Sequence, residues 1–352
     1  MNRLQAIRPF GQRIWLDNLS RELLFSGELA RLIKQDGIAG VTSNPTIFHK
    51  AISTDPRYRD DMTALKARGM GAEKTYEELV IPDVRTACDM MLPVYQQSER
   101  DDGYVSLEVS PLLAHDAEGT LQSARDLWQS VGRPNLMIKI PATPEGIQAF
   151  GVLTREGINV NITLLFSLKQ VEAVWDAYIG ALTARLADGN ALGHVKAVAS
   201  FFLSRVDSLL DGQLPAALGG KGAIALSKVA YARYMERFHG EEFAALARAG
   251  AHPQYLLWAS TGTKNPAYSD VLYVESLIGA ETINTVPDAT LAKFRDHGNA
   301  AATLRQDLDG ARETLAQIAQ AGIDLEAVGE QLQQDGLKLF VDSFNALMEL
   351  TA

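Results

Sequence analysis

The sequence has little cysteine and no long apolar stretch, and each shortage excludes a class of protein. A single cysteine, Cys88, rules out a disulfide within the 352-residue chain and is typical of a reducing compartment, so we expect a cytoplasmic protein. No apolar run approaches the roughly 18 residues of a membrane helix, and the first residues contain no signal-peptide core. We therefore expect no membrane association. A formal net charge of −10 also disfavours nucleic acid as a partner.

Several catalytic motifs are also missing. The six histidines are dispersed and form no H-E-x-x-H pattern, so the sequence does not support a metal site. There is no G-x-S-x-G turn of the kind that carries the nucleophile of a serine hydrolase. No G-x-G-x-x-G turn follows the first apolar run, which gives no support to a dinucleotide-binding sheet.

Eight short apolar runs alternate with amphipathic, helix-like segments. Strands that alternate with helices pair in parallel, and eight of them close into a (β/α)8 barrel of ~250 residues plus insertions. A doubly wound open sheet is the competing arrangement. We expect one α/β domain over residues 1–352, with extra helices in 49–103 and a helical C-terminal extension in 299–352. The runs are RIWLDN (13–18), GIAGVTSN (37–44), YVSLEVS (104–110), LMIKIP (136–141), INVNITLLF (158–166), VKAVASFFL (195–203), YLLWAS (255–260) and ETINTVP (281–287).

Two of the amphipathic segments carry signals for the start and the end of a helix. One helix is predicted from Ser167, a good N-cap, to Gly189, a good C-terminal stop. A second is predicted in the same way from Ser20 to Gly37.

Polar residues gather at the carboxyl ends of the predicted strands, where (β/α)8 enzymes carry their catalytic side chains. A barrel core packed only for stability does not need carboxylates on two strands and an amine on a third. For the serines, threonines and asparagines, the alternative is that they cap the helices that follow. The residues are Asp17, Thr42, Asn44, Glu108, Lys139, Asn161, Thr163, Ser200, Ser260 and Asn284.

Lys139 stands in the apolar stretch NLMIKIPATPEGI, although lysine is seldom buried without a partner. Apolar surroundings disfavour the charged form of a lysine, and the neutral amine can attack a carbonyl to form an imine. The imine is an electron sink, so a neighbouring C–C bond can break or form without a metal. The alternative is a structural salt bridge from Lys139 to Glu108 or to Asp17.

Taken together, the motifs resemble those of the transaldolase family. The resemblance covers residues from about 13 to 350, and the chain length is similar to that of the longer bacterial branch. It implies a (β/α)8 barrel of the class I aldolase type that needs no cofactor. It also implies transfer of a dihydroxyacetone unit from sedoheptulose 7-phosphate to glyceraldehyde 3-phosphate, which gives fructose 6-phosphate and erythrose 4-phosphate. The motifs are WLDNL (15–19), GVTSNPTIF (40–48), VSLEVS (105–110), MIKIPAT (137–143), INVNITLLFS (158–167), ASFFLSRVD (199–207), WASTGTKNP (258–266) and INTVP (283–287).

The resemblance also implies roles for individual residues. Lys139 matches the Schiff-base lysine, and Asp17 matches the acid–base carboxylate that takes the proton of the substrate's C4 hydroxyl during cleavage. Glu108 and Thr163 match the pair that orders a catalytic water. Asn44 and Asn161 match groups that hold the substrate's hydroxyls, and Thr42 and Ser200 line the same site. The candidates for the phosphate are Arg205, Ser260 and Lys264.

The sequence leaves two other functions open. Fructose-6-phosphate aldolases belong to the same superfamily, but they are much shorter and typically carry glutamine and tyrosine near the catalytic water. Here Glu108, Thr163 and the long C-terminal tail favour transfer. A non-catalytic sugar-phosphate-binding protein is the third interpretation, which the intact catalytic set disfavours. We expect sugar phosphates as ligands and a monomer or a homodimer.

Overall fold

Eight parallel strands close into a barrel, in which each strand pairs with the next along the chain. The structure is a computed structural model and describes residues 2–352. The barrel closes between its last and first strands, whose register runs from Thr282 opposite Gln12 to Val286 opposite Leu16. The predicted (β/α)8 barrel is confirmed, and the open doubly wound sheet is excluded. The strands are β1 (Gln12–Asp17), β2 (Gly40–Thr42), β3 (Tyr104–Glu108), β4 (Leu136–Pro141), β5 (Val160–Leu165), β6 (Ala197–Phe202), β7 (Tyr255–Ala259) and β8 (Thr282–Val286).

The α-helices connect successive strands around the outside of the barrel, and others extend it. Short 3-10 helices cover Gln5–Phe10, Pro56–Tyr58, Pro111–Leu113 and Ala216–Leu218. The α-helices are α1 (Arg21–Phe25), α2 (Glu28–Arg31), α3 (Pro45–Thr54), α4 (Arg59–Ala67), α5 (Ala72–Gln97), α6 (Ala117–Val131), α7 (Pro144–Glu156), α8 (Leu168–Ala187), α9 (Ser204–Leu210), α10 (Gly222–His239), α11 (Glu241–Arg248), α12 (Leu272–Glu275), α13 (Asp288–His297), α14 (Leu308–Gln320) and α15 (Leu325–Thr351).

The two segments predicted as extra helices meet in space. Helices α4 and α5 lie between β2 and β3, as expected for residues 49–103. The C-terminal extension is helical only from Leu308 onward. The prediction of helix from residue 299 is therefore wrong for residues 299–307. Helix α15 then packs against α3 and α5, so the C-terminal extension returns across the chain to the second βα unit.

The single helix predicted from Ser20 to Gly37 is wrong, although its caps are correct. The Ser20 side chain accepts a hydrogen bond from the backbone of Leu23, and Gly37 ends the segment at φ 72°. Between them, Gly27 takes a left-handed φ of 82°, which separates α1 from α2. A left-handed residue cannot continue an α-helix. The last turn, Leu32–Asp36, is then a π-helix.

The helix predicted from Ser167 is confirmed as α8. Ser167 and Gln170 form a capping box, in which each side chain accepts a hydrogen bond from the backbone of the other residue. Gly189 follows the helix with a left-handed φ of 76°. Among residues 2–352, no helix combines the length and the hydropathy that crossing a bilayer requires.

Candidate active site

The carboxyl ends of the strands surround a cavity of about 110 Å³. Of the eleven side chains predicted to form the site, eight line this cavity. Glu108 and Asn161 do not line it but hydrogen-bond to residues that do, whereas Lys264 is exposed outside it. The lining residues are Asp17, Thr42, Asn44, Lys139, Thr163, Ser200, Phe202, Arg205, Ala259, Ser260, Thr285 and Phe340.

Lys139 is buried and paired. Strands β3 and β4 are in a register that sets Glu108 directly beside Lys139. The Lys139 Nζ atom donates to Glu108 Oε2 at 3.1 Å and to the backbone carbonyl of Ser43 at 3.2 Å. Of the two salt bridges considered from the sequence, the structure therefore contains the one to Glu108. A buried salt bridge contributes little net stability, so this pair is compatible with a catalytic role for Lys139.

Burial raises the pKa of Glu108 above its ordinary range, and the charge and hydrogen bond of Lys139 only partly oppose this rise. A carboxylate with a raised pKa is a better proton acceptor, so Glu108 can take a proton from the ammonium group that it contacts. Among the described residues, the second oxygen of Glu108, Oε1, is buried without a hydrogen-bond partner, and so is the hydroxyl of Thr163. Unpaired buried polar atoms are costly, and a water molecule held by both residues would satisfy them.

Asp17 is oriented by a chain of hydroxyl groups. Thr42 Oγ1 donates to Asp17 Oδ1 at 2.7 Å and lies 2.6 Å from Thr285 Oγ1. Because the only hydroxyl proton of Thr42 is directed at Asp17, Thr285 is the donor in the second bond. Burial raises the pKa of Asp17, while the charge of Lys139 opposes the rise. Asp17 therefore has the properties of a second proton acceptor in the same cavity.

The two asparagines occupy different positions. Asn44 caps α3 with its side-chain oxygen, which accepts from the backbone of Ile47 at 2.9 Å, so its NH₂ group is left for a ligand. Asn161 is fully buried beneath the cavity. It donates to Ser106 Oγ at 3.1 Å and accepts from Ser200 Oγ at 2.6 Å, so it holds Ser200 in place.

Arg205 is a half-buried cation. It lies in the first turn of α9 and lines the cavity, yet within residues 2–352 it makes no hydrogen bond and no ion pair. Its nearest aromatic neighbour is Phe202, whose ring centroid is 5.9 Å from the guanidinium carbon. Burial lowers the pKa of Arg205, and the charge of Asp335 on α15 opposes this change. An unpaired guanidinium at a cavity is suited to an anionic ligand.

Ser260 and Lys264 follow β7. Ser260 adopts a left-handed φ of 55°, which is uncommon for a residue with a side chain, and its hydroxyl is 2.7 Å from that of Ser204. Strained backbone of this kind concentrates at functional sites. Lys264 extends from the same loop into solvent. Of the three candidates for a phosphate contact, Arg205 and Ser260 line the cavity and Lys264 does not.

Sequence reasoning missed several lining residues. Thr285 lines the cavity instead of its neighbour Asn284, whose side chain donates to the carbonyl of Tyr273. The alternation of side chains along β8 decides between the two residues, and the sequence pattern alone does not set its phase. Phe340 comes from the C-terminal helix α15, and no local signal connects it to Lys139. Within residues 2–352, no cluster of three or more histidine, cysteine, aspartate or glutamate side chains is arranged to hold a metal ion.

The fold and the site together define a (β/α)8 barrel enzyme in which a buried amine, two carboxyl groups and a half-buried guanidinium lie at or next to one cavity. The family model described as "Transaldolase/Fructose-6-phosphate aldolase" matches residues 14–351. The chain belongs to this family. The enzyme class expected from the sequence, a transferase of the transaldolase type, is thereby confirmed.

Individual relatives agree with this assignment. A transaldolase of Thiobacillus denitrificans is 53% identical over 355 residues, with 99% of both chains covered. A transaldolase of Neisseria gonorrhoeae is 52% identical, and one of Neisseria meningitidis is 51% identical, in each case over 348 residues with 99% of both chains covered. This chain is similar to all three over its full length.

Proposed function

We propose that the chain transfers a dihydroxyacetone unit from sedoheptulose 7-phosphate to glyceraldehyde 3-phosphate through an imine on Lys139. The products are fructose 6-phosphate and erythrose 4-phosphate. The observation that carries the proposal is the placement of the Lys139 amine, 3.1 Å from Glu108, in one cavity with Asp17. The family assignment supports the reaction class.

Proton transfer to Glu108 frees the amine for attack. Because burial raises the pKa of Glu108, that carboxylate accepts a proton from Lys139, and the neutral amine adds to the ketone carbon of the substrate. Loss of water from the adduct gives the iminium. The unpaired Glu108 Oε1 and the unpaired hydroxyl of Thr163 are suited to hold that water, which returns when the iminium is hydrolysed.

Asp17 is the group that starts C–C cleavage. Its carboxylate, oriented by Thr42, accepts the proton of the C4 hydroxyl as the bond between C3 and C4 breaks. The electron pair of that bond moves into the iminium and gives an enamine, while the aldehyde product leaves. The enamine then attacks the carbonyl carbon of the acceptor aldehyde, and Asp17 returns the proton to the new hydroxyl.

The remaining lining residues bind the substrate. The amide of Asn44 can donate to the sugar hydroxyls. The hydroxyl oxygens of Thr42 and Ser200, whose protons are directed at Asp17 and Asn161, can accept from them. Arg205 is the principal contact of the phosphate, together with Ser260, because it lines the cavity and has no partner among residues 2–352. Lys264 is a second cation for the phosphate, with a smaller contribution because it lies outside the cavity.

Borohydride trapping tests the proposal. Reduction in the presence of fructose 6-phosphate should add the mass of a reduced dihydroxyacetone unit to the peptide that contains Lys139. Lys139→Arg should remove the adduct and the activity while leaving the protein folded, since arginine keeps a charge beside Glu108 but cannot deprotonate. A label on Lys264 or on the buried Lys196, with Lys139 unmodified, would overturn the assignment.

The proposal includes four further points about the protein as a whole. Residues 1–352 form a single domain, supported by the packing of the C-terminal helix α15 on α3 and α5. The reaction needs no cofactor, because the imine itself provides the electron sink. We also propose that the protein works in the cytoplasm, as a monomer or a homodimer. Size-exclusion chromatography with light scattering distinguishes the two oligomeric states.

A further inference from the structure

We propose that Phe340 is a specificity-determining residue that keeps the dihydroxyacetone intermediate on the enzyme until an acceptor aldehyde arrives. The inference rests on the proposed function, because it concerns the fate of the imine on Lys139. It assigns to the C-terminal helix a role in the choice between transfer and release.

Phe340 covers the reactive amine. Its ring centroid is 5.5 Å from Lys139 Nζ, and the side chain is 4% exposed and lines the cavity. The ring offers no group that donates or accepts a proton. The preceding residue, Leu339, is 51% exposed. One position of α15 therefore points at the amine, while its neighbour points at solvent.

Helix α15 is held close to the strand ends, so the position of the ring is well defined. Gln333 donates to the carbonyl of Ala142 at 2.9 Å and to that of Leu164 at 3.0 Å, which lie at the ends of β4 and β5. A Cβ atom added to Gly336 would come within 3.0 Å of the Leu164 side chain. Glycine therefore occupies the position where the helix passes the Leu164 side chain, one turn before Phe340.

Contacts made by residues that follow Phe340 also fix α15 in place. Phe344, one turn beyond Phe340, packs edge-on against Tyr76 of α5 with their centroids 6.0 Å apart. Ser343 lies within hydrogen-bond distance of Thr46, 2.8 Å between the two hydroxyl oxygens. The cover over Lys139 is therefore fixed to the barrel both before and after Phe340.

After cleavage, the enamine on Lys139 has two fates. In transfer, it attacks the acceptor aldehyde and a new C–C bond forms. In release, its carbon takes the proton that Asp17 holds after cleavage and becomes an iminium carbon. Water adds to the iminium, and the C–N bond breaks to give free dihydroxyacetone and the neutral amine, while the proton set free passes to Glu108. Release consumes one water and transfer does not use any until the final product leaves. A group that excludes water above the amine therefore favours transfer.

Phe340 suits this task by its volume and by its ring. The cavity of about 110 Å³ has room for only a few water molecules at ~30 Å³ each, and removing the ring would enlarge it directly above the nitrogen. The negative face of the ring also attracts a cation such as the iminium. Both effects hold the intermediate in its bound form.

The experiment compares three variants in the full-length protein. Phe340→Ala removes the cover, Phe340→Leu keeps most of the volume without the ring, and Leu339→Ala is the matched control on the exposed face. Each is incubated with fructose 6-phosphate and erythrose 4-phosphate together, so that transfer and release compete for the same intermediate. The measured quantity is free dihydroxyacetone released per molecule of sedoheptulose 7-phosphate formed.

Phe340→Ala should raise this ratio about tenfold, a change of ~1.4 kcal/mol between the two competing steps. Phe340→Leu should give an intermediate ratio, and Leu339→Ala should match the unmodified protein. An unchanged ratio in Phe340→Ala, while borohydride still labels Lys139, would refute the inference and leave the proposed function intact. Absence of the label in the unmodified protein would refute the proposed function itself. If Phe340→Ala does not fold, the Phe340→Leu ratio decides, and a ratio equal to that of the unmodified protein refutes the inference.

Discussion

Replacing Arg205 with alanine should remove most of the activity on fructose 6-phosphate and little of the activity on unphosphorylated fructose. Within residues 2–352, the guanidinium has no hydrogen bond or ion pair, so all its donors are available to a ligand. Two hydrogen bonds to a charged phosphate contribute about 1.5 to 3 kcal/mol each. Because Arg205 is only half buried, solvent screens these bonds, and we expect the combined loss to lie near the lower end of their range, ~3 kcal/mol. This loss corresponds to a fall of roughly 100-fold in kcat/KM.

The assay is kcat/KM for both sugars in the unmodified protein, Arg205→Ala and Arg205→Lys. Lysine keeps a point charge but not the fork geometry, so it should recover only part of the loss. Binding energy from the phosphate that orients the reacting carbons would lower kcat as well as raise KM. Lys264→Ala, which alters an exposed side chain outside the cavity, should have a smaller effect.

Two results would refute this reasoning about Arg205. A proportional loss on both sugars would mean that the residue supports the fold or the chemistry and does not contact the phosphate. A large fall in the unfolding temperature of Arg205→Ala would point the same way, because a side chain without hydrogen bonds or ion pairs should contribute little to stability. Inorganic phosphate provides an independent measurement, since it should inhibit the unmodified protein more strongly than the variant.

Asp17→Asn should still form the borohydride-trapped imine with fructose 6-phosphate but fail to cleave the sugar, since the amide cannot accept the C4 hydroxyl proton. Glu108→Gln should instead slow both the formation and the hydrolysis of the imine. Normal, fast trapping by Glu108→Gln together with failed trapping by Asp17→Asn would reverse these roles. A third prediction concerns the buried carboxyl group of Asp102. Burial raises its pKa to about 7, although the hydrogen bond from Trp15 and the charge of Arg13 lower it. Because this carboxyl binds its proton more tightly in the folded than in the unfolded protein, it stabilises the fold at low pH. That contribution, at most about 4 kcal/mol, should be lost as the pH rises from about 4 to about 7. Urea unfolding between these pH values should show the decline in the unmodified protein relative to Asp102→Asn, and parallel curves for the two proteins would contradict it.

Much of the architecture follows from local patterns. The eight apolar runs predict the strands because burial of a parallel strand on both faces requires a continuous apolar sequence. The capping box of Ser167 and Gln170 involves residues only three apart, so its sequence pattern is sufficient to place the start of α8. The polar residues at strand ends converge because parallel strands in a closed barrel all end on the same side.

Local signals were insufficient where two conformations compete within one segment. Between Ser20 and Gly37 the apolar spacing is compatible with one helix, yet Gly27 takes a left-handed conformation and divides it. Glycine is permitted in both conformations at similar energy, so packing against the rest of the chain makes the choice. The same holds for Thr285 and Asn284, whose orientations depend on the phase of β8 within the barrel.

The sequence by itself determined that a lysine is buried in the fourth strand of a barrel and which acidic residues lie at the ends of other strands. Only the tertiary structure decided that Lys139 pairs with Glu108, that Arg205 has no hydrogen bond or ion pair within residues 2–352, and that Phe340 covers the amine. Phe340 lies some 200 residues from Lys139 along the chain. Such contacts depend on how whole helices pack, and packing is set by the shape of distant surfaces, which the periodicity of a single segment does not contain.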